Sequence, residues 1–217
     1  MSRNYFFALA GNIGVGKTTW TNLLSDRFSW HPFYEKVVEN PYLSDFYSDM
    51  SRWSFHSQIF FLTQRFKENN QIQNTRKTCI QDRTIFEDAE IFAYNLFRQQ
   101  IMPERDYLTY RELYDSMLSS IRYPDLMIYL RASTWTLISR IRKRGRDYER
   151  RINKEYLAQL NILYDTWIHM YAQSHRALIV ETDNFDIEKD TGRLKEIIRE
   201  ISAYEHQLEL FPQLSTI

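Results

Sequence analysis

The sequence predicts an α/β fold in which five parallel strands form one sheet flanked by helices on both faces. Three observations support this class. Short apolar runs of strand length alternate with longer stretches of helical periodicity along the chain. A glycine-rich turn separates the first apolar run from the first helical stretch. The chain has 217 residues, enough for one domain with a sizeable core, and its sequence shows no repeat or low-complexity segment.

Local signals set the order and the ends of the elements. A proline at position 41 ends the second strand, and the spacing from Thr84 to Glu87 is typical of a capping box at a helix start. Pro103 suits a first helical turn, and Gly145 suits the end of a helix. The predicted strands are residues 5–10, 33–38, 79–82, 126–130 and 177–180. The predicted helices are residues 19–28, 42–50, 53–69, 84–100, 103–121, 134–144, 154–175 and 191–207.

The glycine-rich turn matches G-x-x-x-x-G-K-[ST], the pattern of a phosphate-binding loop. In such a loop the glycines let backbone N–H groups approach phosphate oxygens closely. Lys17 would reach the β- and γ-phosphates of a triphosphate, and Thr18 would offer its hydroxyl to Mg²⁺. We therefore predict a site for ATP and Mg²⁺ here. The predicted loop residues are Gly11, Asn12, Ile13, Gly14, Val15, Gly16, Lys17, Thr18 and Thr19.

Composition limits the partners and the compartment. Basic and acidic residues balance at 28 each, so no overall charge favours a nucleic acid or a membrane surface as partner. No apolar run approaches the length of a membrane span. Cys79 is the single cysteine, which excludes an internal disulfide and fits a reducing compartment. We expect a cytoplasmic protein that binds neither membrane nor nucleic acid.

Charged residues lie at the carboxyl ends of two predicted strands, which is where parallel sheets bind ligands. Glu35 and Asp82 end neighbouring apolar strands, and Arg83 follows directly. A kinase requires a carboxylate near the acceptor hydroxyl, a metal ligand and a cation that neutralises the transferred phosphoryl group. These residues can supply all three. The alternative is a salt-bridged strand end, which the phosphate loop beside it disfavours.

Several motifs resemble those of the deoxynucleoside kinases, most nearly the bacterial deoxyadenosine and deoxyguanosine kinases. The motifs begin at Glu35 (EKVVENPYL), Arg52 (RWSF), Asp82 (DRT) and Lys143 (KRGR). The resemblance runs in order and with matching spacing from Phe7 to about Ile201. It implies a P-loop kinase fold and transfer of the γ-phosphate of ATP to the 5′-hydroxyl of a deoxynucleoside.

The resemblance assigns roles to the charged strand ends. Glu35 matches the acidic residue that contacts the 5′-hydroxyl and is usually regarded as its base. Asp82 matches an acidic residue close to Mg²⁺, and Arg83 matches an arginine that bridges the carboxylate and the phosphoryl group. The sequence leaves open which carboxylate is the base; we favour Glu35, with Asp82 and Thr18 on the metal. The predicted catalytic residues are Glu35, Asp82, Arg83 and Lys17.

A nucleoside pocket is predicted from the helix over residues 53–69. Gln58 and Arg65 are seven positions apart and share one helical face, so a base fits between them. The family places base-reading Gln, Arg and Asp at the spacings of Gln58, Arg65 and Asp88, which implies a purine or cytosine deoxynucleoside, with a purine preferred. Tyr47 and Glu155 match the pair that holds the 3′-hydroxyl. The predicted substrate-binding residues are Glu35, Tyr47, Gln58, Arg65, Arg83, Asp88 and Glu155.

Basic residues crowd positions 140–151, which match the lid of the family. The functional interpretation is a lid that closes over the triphosphate. The predicted ATP contacts in it are Arg140, Arg144 and Arg146. A nucleic-acid patch and a solvated helix end are the alternatives. We predict one kinase domain over residues 1–207, with the lid at about 140–151, and a tail over residues 208–217.

Two features of the sequence concern protein partners. The family is typically a homodimer, and the apolar helices over 85–100 and 107–121 are expected to face a second copy. Residues 207–211 resemble peptides that dock on the DNA sliding clamp, with an ordinary helix end as the alternative.

A thymidylate-type monophosphate kinase is disfavoured because its acceptor would bring negative charge to Glu35. A non-catalytic nucleotide-binding accessory protein is the third hypothesis.

Overall fold

The structure is a computed structural model that describes residues 4–36, 39–147, 149, 152–185, 187 and 189–210, with residues 208–210 described by their backbone only. Its strands are β1 (Phe6–Ala10), β2 (His31–Phe33), β3 (Cys79–Asp82), β4 (Leu126–Arg131) and β5 (Ala177–Glu181). They form a parallel sheet in the order β2-β3-β1-β4-β5. The predicted α/β fold with five parallel strands is confirmed.

Helices cover both faces of this sheet. They are α1 (Lys17–Phe28), α2 (Leu43–Ser48), α3 (Met50–Asn74), α4 (Ile85–Glu87), α5 (Tyr94–Arg98), α6 (Glu104–Leu118), α7 (Thr134–Arg144), α8 (Lys154–Tyr171) and α9 (Thr191–Leu210). A π-helix over Asp88–Ala93 joins α4 to α5. Among these helices none is long and apolar enough to cross a lipid bilayer.

The central strand β1 is buried on both sides and divides the core into two layers. Phe6, Ala8 and Ala10 belong to the layer that includes buried residues of α3, α6 and α8. Phe7 and Leu9 belong to the opposite layer, which includes buried residues of α1, α7 and α9. Alternate side chains of a strand point to opposite faces, so a strand covered on both faces must be apolar throughout. This position fixes the loop that follows β1 at the centre of the sheet edge.

The second strand differs from its predicted position. Residues 33–38 are predicted, whereas β2 ends at Phe33, so Glu35 lies in the connection after the strand. The pairing with β3 explains the difference. Strand β2 lies at the edge of the sheet and pairs with β3 through three described residues, His31, Pro32 and Phe33. The partner strand ends at Asp82, which leaves little backbone for a longer ladder.

The predicted helix over residues 84–100 is divided by the π-helix. Its predicted start is confirmed, since the backbone N–H of Thr84 donates to Glu87 Oε2 at 2.8 Å as part of a capping box. The π-helix begins at Asp88. Such segments occur frequently at functional sites, where they change the direction of a side chain. The backbone of residues 207–210 of the proposed clamp-docking peptide belongs to α9, and Phe211 lies outside the described residues, so docking stays a prediction.

Candidate active site

A cavity of about 260 Å³ opens where the loop after β1 meets the carboxyl ends of β2 and β3. Its wall includes most of the predicted site residues: Ile13, Gly14, Gly16, Lys17, Thr18, Thr19, Glu35, Tyr47, Gln58, Asp82, Arg83, Asp88, Arg144 and Arg146. The remaining predicted residues lie outside this wall: Gly11, Asn12, Val15, Arg65, Arg140 and Glu155. The fold thus brings residues predicted to bind the phosphoryl donor and residues predicted to bind the acceptor into the wall of one cavity.

The backbone of the phosphate-binding loop has positive φ angles at its three glycines. Gly11, Gly14 and Gly16 have φ values of 147°, 84° and 104°, in the region that favours glycine. A Cβ at Gly14 would lie 2.7 Å from Ile141 in α7, so the close packing of α7 also excludes a side chain. Lys17 Nζ donates to the carbonyl of Gly11 at 2.8 Å, and burial lowers the pKa of this amine to about 8.

Thr18 and Asp82 form a short contact across the cavity floor. The Thr18 hydroxyl donates to Asp82 Oδ2 at 2.6 Å, and Asp82 Oδ1 has no hydrogen-bond partner among the described residues. Burial raises the pKa of Asp82 above its ordinary range, and the nearby charge of Glu35 adds to the shift while Lys17 opposes it. The pair therefore offers hard oxygen ligands, one of them unsatisfied, at the entrance to α1.

Glu35 is held between two arginines. Its Oε1 lies 2.8 Å from Arg83 Nε and 3.0 Å from Arg65 Nη2. Burial favours the neutral acid, but the two guanidinium groups outweigh it and lower the pKa of Glu35. Glu35 is consequently ionised, and Asp82, which its charge influences, is the more basic carboxylate.

Arg65 is completely buried and surrounded by carboxylates. Besides Glu35, its guanidinium lies 3.3 Å from Glu68 Oε2 and 3.8 Å from Asp88 Oδ2. Gln81 in turn donates to Glu68 at 2.9 Å. Sequence reasoning did not find Glu68, although its spacing of three residues from Arg65 on one helix was a usable signal. Arg65 does not contribute to the cavity wall, whereas Gln58 does. That a base lies between Gln58 and Arg65 stays a prediction.

Gln58 and Asp88 supply polar atoms to the buried end of the cavity. Both side chains are nearly inaccessible to solvent and both belong to the cavity wall. Gln58 Oε1 and Asp88 Oδ2 have no hydrogen-bond partner within the described part of the chain. Burial raises the pKa of Asp88 to about 7, with Arg65 and Arg83 limiting the shift. Two unsatisfied buried acceptors in a cavity indicate a ligand that donates hydrogen bonds.

The predicted pair of Tyr47 and Glu155 is only half present in the cavity. Tyr47 belongs to the wall, whereas Glu155 is exposed in the first turn of α8. A different carboxylate, that of Glu149, is buried and lines the same cavity. The chain turns back at Gly145, where φ is 70°, and this brings residue 149 inward. Its position three residues after Arg146 was the signal that sequence reasoning missed.

The arginines of the predicted lid have three different environments. Arg140 donates to the carbonyls of Val15 at 2.9 Å and Thr182 at 2.6 Å, so its guanidinium joins the phosphate-binding loop to the segment after β5. Arg144 forms a bidentate pair with Glu149 at 2.6 and 3.1 Å. Arg146 Nη1 lies 3.6 Å from Glu149 Oε1, and the Arg146 side chain is half-exposed in the cavity wall. Residues 150 and 151, also predicted for the lid, lie outside the described ranges.

A phosphate-binding loop that shares one cavity with a carboxylate–arginine pair is typical of a P-loop kinase of a small acceptor. Comparison with protein families makes the class more specific. Residues 7–205 match the model of the deoxynucleoside kinase family, so the chain belongs to that family.

Individual relatives agree with this assignment. The chain is similar to the deoxyadenosine/deoxycytidine kinase of Bacillus subtilis, with 34% identity over 206 residues and 94% of each chain covered. It is 32% identical over 204 residues to the deoxyguanosine kinase of the same organism, covering 94% of this chain and 97% of the relative. A structure of deoxyadenosine kinase from M. mycoides with the products dCMP and a flexible dCDP bound superposes with a TM-score of 0.83 at 32% identity, covering 91% and 99% of the two chains.

The protein is therefore a deoxynucleoside kinase, an enzyme that phosphorylates deoxynucleosides with ATP as the donor. This confirms the first hypothesis drawn from the sequence. The matching family model and the relatives described above are deoxynucleoside kinases, neither monophosphate kinases nor non-catalytic accessory proteins.

Proposed function

We propose that this enzyme prefers deoxynucleosides whose base carries an amino group opposite Gln58 and Asp88, namely deoxyadenosine and deoxycytidine, and phosphorylates their 5′-hydroxyl. The observation that carries the proposal is the pair of unsatisfied acceptors, Gln58 Oε1 and Asp88 Oδ2, in the cavity wall. The exocyclic amino group of adenine or cytosine donates hydrogen bonds that satisfy both atoms. The O6 of guanine and the O4 of thymine are acceptors and would leave them unpaired.

The metal-binding role of Thr18 and Asp82 is part of the proposal. Hydroxyl and carboxylate oxygens are ligands that suit Mg²⁺, and the unpartnered Asp82 Oδ1 fits an ion that carries positive charge. Bound Mg²⁺ would neutralise charge on the β- and γ-phosphates of ATP. The short contact from Thr18 to Asp82 holds the two oxygens together before any ion is present.

In the proposed reaction, Lys17 and the loop N–H groups hold the phosphates, and Arg83 stabilises negative charge on the phosphoryl group in transit. Glu35 accepts a hydrogen bond from the 5′-hydroxyl and takes its proton as the bond from the 5′-oxygen to the γ-phosphorus forms and the bond from that phosphorus to ADP, the leaving group, breaks. A lowered pKa suits this role, because a loosely bonded transition state makes the hydroxyl acidic only late in the transfer. The ionised carboxylate thus orients the nucleophile first.

We assign the sugar 3′-hydroxyl to Tyr47 and Glu149 in place of Glu155, because both side chains line the cavity. Residues 140–151 are proposed as the lid, in which Arg144 and Arg146 meet the phosphates of ATP. Their pairing with Glu149 in the free enzyme supports this proposal, since both guanidinium groups already lie in the cavity wall.

A homodimer is proposed through α5 and α6. Tyr94, Leu108 and Leu113 are exposed apolar side chains on these two helices. Sedimentation equilibrium should find a dimer, and L108E should shift it toward monomer because a charge would be buried in the interface. A wild-type protein that is monomeric at micromolar concentration would contradict the proposal.

A cytoplasmic location is also proposed, and the buried free thiol of Cys79 supports it because such a residue is compatible with a reducing compartment. Cell fractionation tests this directly. Recovery of the enzyme in an oxidising compartment would overturn it.

The base assignment is tested by Glu35→Gln and Asp82→Asn. We expect Glu35→Gln to lower kcat by about 10²-fold or more with little change in the KM for ATP, because the carboxylate acts on the acceptor. Asp82→Asn should raise the Mg²⁺ concentration required for half-maximal rate. Glu39→Gln, at an exposed neighbouring carboxylate, is the matched control. Near-native kcat in Glu35→Gln together with an inactive Asp82→Asn would reverse the two roles.

Base preference is expected to depend on pH through Asp88. Its pKa is about 7, so the side chain is largely protonated below that pH and ionised above it. The carboxylate accepts from an amino group, whereas the acid can donate to guanine O6. The ratio of kcat/KM for deoxyadenosine to that for deoxyguanosine should therefore rise, by up to about tenfold, as pH increases from about 6 to about 8.

The control for this titration is Asp88→Asn, in which the side chain no longer ionises and the ratio should be constant over the same range. Steady-state kinetics with both nucleosides at each pH measure it. A wild-type ratio that does not change with pH, or the same slope in the variant, would contradict the role of Asp88.

A further inference from the structure

A fully buried carboxylate next to the cavity has no part in the reaction as described above. Glu87, in α4, is inaccessible to solvent. Its Oε1 accepts from the backbone N–H of Gly11 at 3.1 Å and from the hydroxyl of Tyr164 at 2.9 Å. Its Oε2 accepts from the N–H of Thr84 at 2.8 Å and from the Thr84 hydroxyl at 3.2 Å. A capping residue needs only the second pair, so the contacts to Gly11 and Tyr164 call for another explanation.

Tyr164 connects this carboxylate to the catalytic arginine. Its hydroxyl donates to Glu87 and accepts from Arg83 Nη1 at 3.1 Å. Burial raises the pKa of the phenol well above its ordinary value, so the proton that the contact with Glu87 requires stays in place. Arg83 continues the series to Glu35 through the ion pair at 2.8 Å. Three hydrogen bonds and one ion pair therefore connect Gly11, the first glycine of the phosphate-binding loop, with Glu35 on the acceptor side.

A neutral hydroxyl between Glu87 and Arg83 has a specific electrostatic consequence. A direct ion pair with Glu87 would neutralise Arg83 further and draw it away from the cavity. The hydroxyl instead fixes the guanidinium while adding no charge. Arg83 needs such fixing, because its backbone has φ 70°, a conformation unfavourable for a residue with a Cβ, and its side chain is otherwise held by Glu35 and by the ring of Phe92 at 4.3 Å.

We propose that Glu87 and Tyr164 are positioning residues that set Arg83 relative to the phosphate-binding loop and so align the phosphoryl donor with the acceptor. Neither residue belongs to the cavity wall, so each acts through Gly11 and Arg83. The proposal rests on the phosphotransfer role given to Arg83 under the proposed function. It predicts an effect on the rate of transfer with little effect on nucleoside binding.

The test is Tyr164→Phe, which keeps the ring that stacks on Tyr129 and removes only the hydroxyl. We expect kcat to fall about tenfold or more, as for loss of a hydrogen bond to a charged group, with the KM for the deoxynucleoside changed less than about threefold. Tyr171→Phe is the matched control: this tyrosine is buried on the same helix, and its hydroxyl has no hydrogen-bond partner among the described residues. Its kcat should equal that of the wild type.

A second variant keeps the proposal testable if Tyr164→Phe folds poorly. Glu87→Gln preserves the shape of the side chain but places its N–H₂ group against the donors of either Gly11 and Tyr164 or Thr84. We therefore expect kcat to fall, and we expect the KM for ATP to rise because Gly11 belongs to the phosphate-binding loop. If the two residues act as one unit, the double variant loses no more than the more damaging single variant. Equal kcat in Tyr164→Phe and Tyr171→Phe, or losses of the two single variants that add in the double variant, would overturn the proposal. A wild-type enzyme that phosphorylates no deoxynucleoside would instead contradict the proposed function.

Discussion

Mutual neutralisation of buried charges at the carboxyl edge of the sheet is the constraint on which the site depends. Arg65 and Arg83 are both buried, and each has a guanidinium nitrogen within 3.0 Å of Glu35 Oε1. An isolated buried charge would be unstable by several kcal/mol, so each group depends on the others for its ionised state. The two carboxylates of the cavity differ as a result: Arg83 and Arg65 lower the pKa of Glu35, whereas burial raises the pKa of Asp82 and the charge of Glu35 adds to that shift. Different environments thus give them different chemical roles.

The fold supplies this arrangement by bringing the ends of three parallel strands together. Strand β1 leads into the phosphate-binding loop, β3 ends at Asp82, and β2 stops early enough for Glu35 to turn toward the arginines. The π-helix after α4 begins at Asp88, which faces Arg65. The charged side chains thus meet at one edge of the sheet, whereas strand β1 within the sheet is apolar and buried throughout. This separation lets a stable apolar sheet support a strained and highly charged site.

The sequence predicts the parts of this structure that depend on local patterns. Apolar runs and helical periodicity predict the sheet, and the glycine spacing predicts the loop around Lys17. Contacts that depend on tertiary packing could not be predicted in this way. Glu68 has one local signal, its spacing of three residues from Arg65, and Glu87 has its capping position, but the burial of both depends on partners from distant elements. Glu149 likewise has only its spacing of three residues from Arg146 as a local signal, and its place in the cavity wall depends on the turn at Gly145.

The most direct test of this account is a carbon-13 NMR titration of the Glu35 and Asp82 carboxyl groups in the free enzyme, assigned with Glu35→Gln and Asp82→Asn. The account predicts that Glu35 titrates below the ordinary range of a glutamate and Asp82 above that of an aspartate. In Glu35→Gln the pKa of Asp82 should fall, because a like charge is removed while Arg83 remains. Ordinary pKa values for both groups, or an Asp82 titration that Glu35→Gln leaves unchanged, would contradict it.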